Sequence, residues 1–299
     1  SGIYKRHKNI ETANIVLCLT KIIHLEIIRQ REKNIYHDVS LENFWNNYNK
    51  INKPTQKIVS IVNITGIPKE TVRRKIKNLV NQDFVKVNIS NREYHLNILP
   101  KYQDNYSKII NYEIEILAKF LSICAFNLRL NIDKDEILNE LKSHFSFYWY
   151  HFINCQLKWL RMWRDKIKDV DLILITLQAF IPTLQNATKN QNIKDTSMEN
   201  LYIIVNKTVD QYNFSNISIN ATSVSEITGI PRATCIRKLE MLLKLGVLMQ
   251  EAKTKRYYVK QLTSKRTNKI LTKDNALFTI KNFSECSAII LNAITATKR

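Results

Sequence analysis

Apolar residues recur at intervals of three and four along most of the chain, a spacing that predicts amphipathic helices. The longest predicted helices cover residues 12–32, 109–130, 135–168 and 171–185. Two other segments, 84–98 and 247–259, alternate apolar and polar positions around a polar turn, which predicts β-hairpins. Only four glycines and five prolines interrupt 299 residues. These features together predict a mostly α-helical fold with small β-hairpins.

One segment of the chain occurs twice. The sequence ITGIP at residues 64–68 recurs at residues 227–231, an offset of 163 positions. At the same offset Thr71 matches Thr234 and Arg74 matches Arg237, and the register continues for roughly 30 residues without a gap. A match that keeps its register over this length indicates an internal duplication.

Each copy has the signals of two consecutive helices. Gly66, or Gly229 in the second copy, can adopt the left-handed conformation that ends a helix and starts a tight turn. Pro68 and Pro231 are predicted to begin the next helix, where a missing N–H costs nothing. The second helix of each copy carries one apolar stripe, and a predicted hairpin follows it. The stripe residues are Val72, Ile76, Leu79 and Val80, matched by Cys235, Leu239, Leu242 and Leu243.

This order of elements, with the pattern I-T-G-I-P-x-x-T-x-x-R-K and a following hairpin, resembles the winged helix-turn-helix regulators of the MarR and IclR type. The resemblance covers about 45 residues in each copy. It implies two winged helix domains in which the second helix and the hairpin, called the wing, contact DNA. Two copies in one chain depart from the usual single domain per subunit. The first copy also has Asp83 where such domains usually have the glycine that the second copy retains as Gly246.

Three regions follow from the repeat. Residues 1–101 are expected to hold N-terminal helices and the first winged helix domain, and residues 102–200 a helical connecting region. Residues 201–299 are expected to hold the second winged helix domain and a C-terminal helix.

Positive charge is concentrated in the two copies. The chain has a net charge of +20, of which residues 51–101 carry +7 and residues 215–270 carry +8. The stretch between them, residues 102–214, is neutral. Two basic segments on either side of a neutral one indicate two surfaces that bind a polyanion.

The residues expected to contact DNA lie on the polar side of each second helix and in each wing. In the first copy they are Lys69, Glu70, Thr71, Arg73, Arg74, Lys77 and Arg92. In the second copy they are Arg232, Ala233, Thr234, Ile236, Arg237, Lys253, Lys255 and Arg256.

Their chemistry suggests separate roles. Arg73, Arg74 and Arg237 are the candidates for bidentate contacts with guanine, and the two threonines suit a phosphate or a thymine methyl group. The remaining cations suit phosphates. Two other interpretations stay open: Arg74 and Arg237 could form ion pairs within their own domains, and the more apolar second copy could instead make contacts between domains.

No catalytic, metal or cofactor site is expected. The five cysteines are scattered and never spaced as CxxC, the six histidines show no metal-binding spacing, and no glycine-rich phosphate loop exists. We therefore expect a protein that is not an enzyme. The most apolar run, residues 172–182, is shorter than the roughly 20 residues of a membrane helix, and no secretory signal is visible. These features predict a cytoplasmic, nucleoid-associated protein.

The predicted function is sequence-specific binding of double-stranded DNA by a transcriptional regulator whose two copies read two dissimilar half-sites. A plasmid- or phage-type replication initiator is the alternative within DNA binding, and a scaffold that uses winged helices to dock proteins is the alternative outside it. A homodimer through the helical middle or the C-terminal helix is a further expectation. The aromatic-rich segment 145–163 is expected to be core, with an effector pocket or a dimer contact as alternatives.

Overall fold

The computed structural model describes residues 7, 9–167, 169–190, 217–259 and 273–297. Within these residues the chain is mostly helical and has two small antiparallel sheets of two strands each, as the sequence predicts. None of the described helices combines the length and the apolar character needed to cross a membrane.

The described elements follow one another in this order: α1 (Ile10–Lys33), α2 (Phe44–Lys50), α3 (Ile58–Thr65), α4 (Lys69–Asn81), β1 (Val85–Asn88), β2 (Glu93–Leu96), α5 (Pro100–Asn127), α6 (Lys134–Ser143), α7 (Phe145–Ile167), α8 (Val170–Asn190), α9 (Ala221–Thr228), α10 (Arg232–Lys244), β3 (Leu248–Gln250), β4 (Tyr257–Val259) and α11 (Lys273–Thr297). The sequence also predicts a helix over residues 201–212, leading into the second copy, and this segment lies outside the described residues.

The backbone divides into two compact units. One holds the described parts of residues 10–165 and 280–299, and the other holds the described parts of residues 4–9 and 166–279. The first unit therefore combines the first copy of the repeat with helices α5 and α6 and nearly all of α7. The second unit contains α8 and the second copy of the repeat. The division into regions at residues 102 and 201 stays a prediction from the sequence.

The first repeat, residues 56–96, packs around the apolar stripe of α4. Val72, Ile76 and Leu79 are all buried, and α3 covers them with Ile61. On the other side Phe84 and Leu96 of the hairpin close the core. Strands β1 and β2 pair antiparallel from Val85 opposite Leu96 to Asn88 opposite Glu93. Burying these side chains is what holds two short helices and a two-stranded hairpin together, since neither element is stable alone in water.

The second repeat, residues 219–259, has the same backbone plan at the same offset. Both of its helices have the bounds of α3 and α4 shifted by 163 positions. In the first repeat Gln56 forms an antiparallel bridge with Tyr94, and at the same offset Ile219 forms one with Tyr257. The buried stripe is equivalent too, with Cys235, Leu239 and Leu242 in place of its first-repeat counterparts. The duplicated sequence therefore corresponds to a duplicated helix–turn–helix–hairpin arrangement.

Left-handed backbone conformations also recur at the offset of 163. Gly66 has φ of 69° and Gly229 has φ of 76°, and both end the first helix of their repeat. Asp83, with φ of 58°, occupies the position of Gly246, with φ of 69°. The turn before the hairpin therefore keeps its geometry although the glycine has been replaced, and the aspartate carries the strain of a non-glycine residue in this region.

Several helix boundaries differ from the sequence prediction; the helix predicted over 109–130, for example, is α5 and already begins at Pro100. Pro68 and Pro231 have extended ψ angles and cap the second helices, which begin one residue later. The helix predicted over 135–168 is two helices, α6 and α7, interrupted at His144. Tertiary hydrogen bonds explain the interruption, because the N–H of Leu41 donates to the Lys142 carbonyl at 2.8 Å and the N–H of Ser146 donates to the Val39 carbonyl at 3.1 Å. In a continuous helix the N–H of Ser146 would donate to the carbonyl of Lys142, so these two groups no longer bond to each other.

The aromatic residues of α7 contribute to the core of the first unit, as the sequence predicts, although not all of them are buried. Phe145, Tyr148, Trp149 and Trp163 are buried, whereas the other four aromatic side chains of this segment, Phe147, Tyr150, Phe152 and Trp159, are half-buried.

His24 of α1 lies inside this aromatic cluster. Its ring stacks on Phe44 at 5.0 Å between centroids and meets the edge of Phe145 at 5.2 Å. His24 is fully buried, and among the described residues nothing hydrogen-bonds to either ring nitrogen. Burial therefore lowers the pKa of His24 to about 3.

This burial predicts a specific loss of stability in mild acid. Below pH 6.5 the unfolded chain binds a proton at His24 that the folded chain does not, so the free energy of unfolding falls by about 1.4 kcal/mol per pH unit until the folded pKa is reached. Between pH 7 and pH 5 the loss is about 2 kcal/mol. Urea unfolding at both pH values, followed by tryptophan fluorescence, measures it, since all four tryptophans lie in residues 10–165. The variant His24→Leu should lose about 2 kcal/mol less than the natural chain; equal losses would show that His24 is not held neutral.

The left-handed turn before each hairpin predicts an asymmetric pair of substitutions. Among the described residues, apart from its two chain neighbours, no atom lies within 4 Å of a Cβ placed on Gly246, so a side chain there costs mainly backbone strain. We expect Gly246→Ala to lower the free energy of unfolding of the second unit by about 1 kcal/mol. Gly246→Asp should cost less, because aspartate tolerates this conformation at Asp83. Urea unfolding followed by far-UV circular dichroism measures both, and a larger loss for the aspartate variant would contradict the assignment.

Candidate nucleic-acid interface

The second helix of the first repeat presents a basic face to solvent. Lys69, Arg73, Arg74 and Lys77 are exposed on α4, together with the acidic Glu70, while Thr71 is half-buried. This face lies opposite the buried stripe of the same helix. Burial of the stripe therefore determines which side of α4 remains available to a ligand.

Ion pairing differs among these cations. Arg73 donates to Glu70 at 2.5 Å, and both side chains are more than half exposed. Such an exposed pair contributes at most about 1 kcal/mol, so a phosphate or a base can replace the carboxylate at little cost. Within the described residues, Arg74 and Lys77 form no ion pair. The interpretation of Arg74 as an internal salt-bridge residue therefore receives no support from the described contacts.

A cleft of about 580 Å³ lies between α4, the beginning of α3 and the hairpin of the first repeat. Lys57, Arg73, Lys77 and Arg92 line it with positive charge, and Asn91 adds an amide. Its remaining lining is mostly apolar and comes from Ile58, Val59, Ile76, Val80, Val87 and Tyr94. The cleft thus brings together three residues expected from the sequence, Arg73, Lys77 and Arg92. Lys69 and Arg74 lie on the same helix outside it.

Lys57 is a cleft residue that the sequence reasoning missed. It precedes α3 and adjoins Gln56, whose backbone pairs with Tyr94 of the hairpin at 2.8 and 2.9 Å. This pairing of residues 38 positions apart places Lys57 beside the wing. Its amine lies 4.0 Å from Glu93, a carboxylate that also accepts hydrogen bonds from Thr55 and Asn91. The sequence shows only a lysine just before the first helix of the repeat, and its position beside the hairpin depends on this long-range pairing.

The tips of both hairpins carry a basic residue in a strained conformation. Arg92 has φ of 53° and Lys255, at the offset of 163, has φ of 56°. Both side chains are exposed. A non-glycine residue in the left-handed region costs of order 1 kcal/mol, and such strain concentrates where a side chain has a function.

The second repeat presents a different surface on the same backbone. Arg232, Ala233 and Arg237 are exposed on α10, and Thr234 and Ile236 are half-buried. Arg232 donates to Thr222 at 3.1 Å. In the hairpin, Lys253 is exposed like Lys255, and Arg256 is half-buried.

Comparison at the offset of 163 shows where the two surfaces diverge. Lys77 corresponds to Glu240, so a cation of the first repeat is replaced by an anion. Three polar residues of the first repeat are replaced by exposed apolar ones; Asn78, Gln82 and Lys86 become Met241, Leu245 and Met249. The second repeat is therefore the less basic and the more apolar of the two on this side.

Two arginines of α7 hold the turn between α3 and α4. Arg161 donates to the carbonyl of Asn63 at 2.7 Å, and Arg164 donates to the carbonyl of Gly66 at 3.3 Å. Arg164 is only 11% exposed and also pairs with Glu11 of α1 at 2.5 Å. A Cβ on Gly66 would lie 2.8 Å from Arg161, so the glycine also leaves room for this guanidinium. Cations at the carboxyl end of α3 satisfy its last carbonyls and complement its dipole.

Among the described residues, no group of three or more histidine, cysteine or acidic side chains is placed to hold a metal ion. All five cysteines are free thiols.

A scan against protein-family models, a search of curated proteins and a search of solved structures each found no match. The resemblance to MarR- and IclR-type domains therefore rests on the residues of this chain alone.

The contacts of Arg164 predict a large effect of its removal. Arg164→Ala leaves the largely buried Glu11 carboxylate and the Gly66 carbonyl without this partner, and we expect the free energy of unfolding to fall by about 2–3 kcal/mol. Arg29→Ala is the matched control, because Arg29 is 57% exposed and lies 3.8 Å from Glu26; it should cost less than about 0.5 kcal/mol. Urea unfolding followed by tryptophan fluorescence measures both variants. Similar small losses would show that the turn does not depend on Arg164.

Proposed function

We propose that this chain binds double-stranded DNA sequence-specifically through two winged helix domains and acts as a transcriptional regulator. The observation that carries the proposal is the recurrence of one helix–turn–helix–hairpin arrangement at an offset of 163, with an exposed cationic side chain on the second helix and at the hairpin tip of each copy. The concentration of the net charge in these two segments supports the same proposal.

In the first repeat, α4 enters the major groove with its exposed face toward the bases. Arg73 and Arg74 offer planar donors that match guanine, at about 1–3 kcal/mol of discrimination for each bidentate contact. Lys69 and Lys77 bind phosphates on either side of the groove. Arg92 at the hairpin tip and Lys57 across the cleft hold the adjacent backbone, so the cleft follows a phosphodiester strand.

The two repeats contribute unequally. In the second repeat Arg237 is the exposed arginine that matches Arg74, but Ile236 replaces Arg73 and Glu240 replaces Lys77. Apolar groups at these positions favour thymine methyl groups over guanine, and the carboxylate repels phosphate. We therefore expect two dissimilar half-sites, of which the first repeat supplies most of the salt-dependent affinity.

The test is in-vitro selection from a randomised duplex library with the whole chain at near-physiological salt. Enrichment of two dissimilar half-sites about one helical turn apart is expected. Direct repeats in an array would indicate a replication initiator instead. The absence of any enriched sequence would overturn specific binding and leave a scaffold or non-specific binding.

Variants then assign the half-sites. On the selected duplex, Arg74→Ala should relax preference at one base pair in the first half-site, and Arg237→Ala should do so in the second. Lys77→Ala should weaken binding to all sequences alike and reduce the slope of log affinity against log salt by about 0.9. Lys50→Ala is the control, since Lys50 is exposed outside both repeats and its removal should leave the slope unchanged.

A further inference from the structure

Helix α5 is apolar on two opposite faces. Seven of its residues are buried against the first unit, among them Ile110, Ile114 and Leu121. The opposite face exposes Tyr112, Ile116, Phe120, Ile123 and Phe126, and Leu128 extends it beyond the helix. The spacing of these exposed residues follows one side of the helix, so they form a continuous stripe, here called the α5 stripe. A helix face with this many large apolar residues is normally covered by another element.

The exposed area of the α5 stripe is large for a monomer. Its side chains are between 43% and 82% exposed and together present roughly 700 Å². The largest apolar patch on a typical monomer is about 300–600 Å². Two such stripes packed together would bury at most roughly 1,400 Å², an upper limit that lies within the range of specific protein interfaces.

The charges on α5 indicate which kind of partner can bind the α5 stripe. This helix carries three basic residues, Lys101, Lys108 and Lys119, and three acidic residues, Asp104, Glu113 and Glu115. Its net charge is zero in a chain of net charge +20, so two copies can approach here with less repulsion than at either basic repeat. DNA is not complementary to a neutral apolar face.

We propose that the α5 stripe is the contact surface for a second copy of this chain. The two helices pack antiparallel around a two-fold axis perpendicular to them, because this isologous contact closes the assembly and sets unlike charges of α5 opposite each other, whereas a parallel contact sets each charge beside its own copy. An axis near residue 117 sets Lys119 of one copy opposite Glu115 of the other. Glu115 already lies 3.3 Å from Lys134 of its own copy, so the contact adds a second cation to an existing exposed pair.

The proposal does not depend on DNA binding, and its test contains no DNA. Analytical ultracentrifugation of the whole chain between about 1 and 100 µM should show twice the chain mass. The double variant Ile116→Glu/Ile123→Glu should weaken self-association at least about 100-fold. Ile35→Glu is the matched control, since Ile35 is 70% exposed outside the stripe, and it should remain dimeric. Circular dichroism and urea unfolding show whether each variant is folded.

A charge exchange tests the antiparallel geometry. Lys119→Glu places like charges opposite each other and should weaken the dimer. Glu115→Lys/Lys119→Glu/Lys134→Glu should restore it, because the third change keeps unlike charges at positions 115 and 134 of the same copy. A natural chain that stays monomeric throughout the concentration range would overturn the proposal. So would a dimer that the isoleucine variants leave intact, or one that Ile35→Glu disrupts equally. Failure of the charge rescue alone would overturn the antiparallel arrangement.

Discussion

The turn between the two helices of each repeat depends on a buried threonine hydroxyl next to a left-handed glycine. In the first repeat Thr65 donates to the carbonyl of Ile61 at 2.7 Å and accepts from the N–H of Ile67 at 3.3 Å. Thr228 makes the same two hydrogen bonds in the second repeat, at 2.6 and 3.2 Å. The hydroxyl satisfies a backbone N–H where the helical ladder stops and water has no access. The angle between the helices, and the direction of each exposed face, follow from this constraint.

The two repeats show how one backbone can carry two surfaces. Buried positions keep their apolar character across the offset of 163, because a change there would open a cavity or overpack the core. Exposed positions are free of that constraint, and they diverge from Lys77 to Glu240 and from Lys86 to Met249. The left-handed positions also tolerate a change of residue. Asp83 occupies the conformation of Gly246, so even a residue that prefers another backbone region is tolerated when the surrounding core fixes the turn.

Outside the repeats, the first unit is organised by polar groups that reach over long sequence distances. Arg164 connects the turn at Gly66 to Glu11, and the hydroxyl of Tyr48 accepts from the N–H of Ile98 at 2.7 Å and donates to the carbonyl of Leu96 at 3.0 Å. Apart from the Arg164–Glu11 ion pair, each contact satisfies a backbone group at or just beyond the end of an element. The aromatic cluster around His24 fills the space between α1, α2 and α7. Together these interactions attach the N-terminal helices and α7 to the first repeat.

The sequence by itself determined the helical class, the duplication and its offset, the buried stripes of α4 and α10, and the left-handed glycines Gly66 and Gly229 that end the first helix of each repeat. These features depend on residues close together in the chain, or on the repetition of such residues, so periodicity and cap chemistry reveal them. Only the tertiary structure showed the break at His144, the position of Lys57 beside the hairpin, the arginine contacts at Gly66 and the exposure of the α5 stripe. The first three depend on a partner tens of residues away in the sequence. The last depends on whether another part of the protein covers the second apolar face of α5. Local pattern carries no information about such partners, because the free energy of these contacts arises only when the chain is folded.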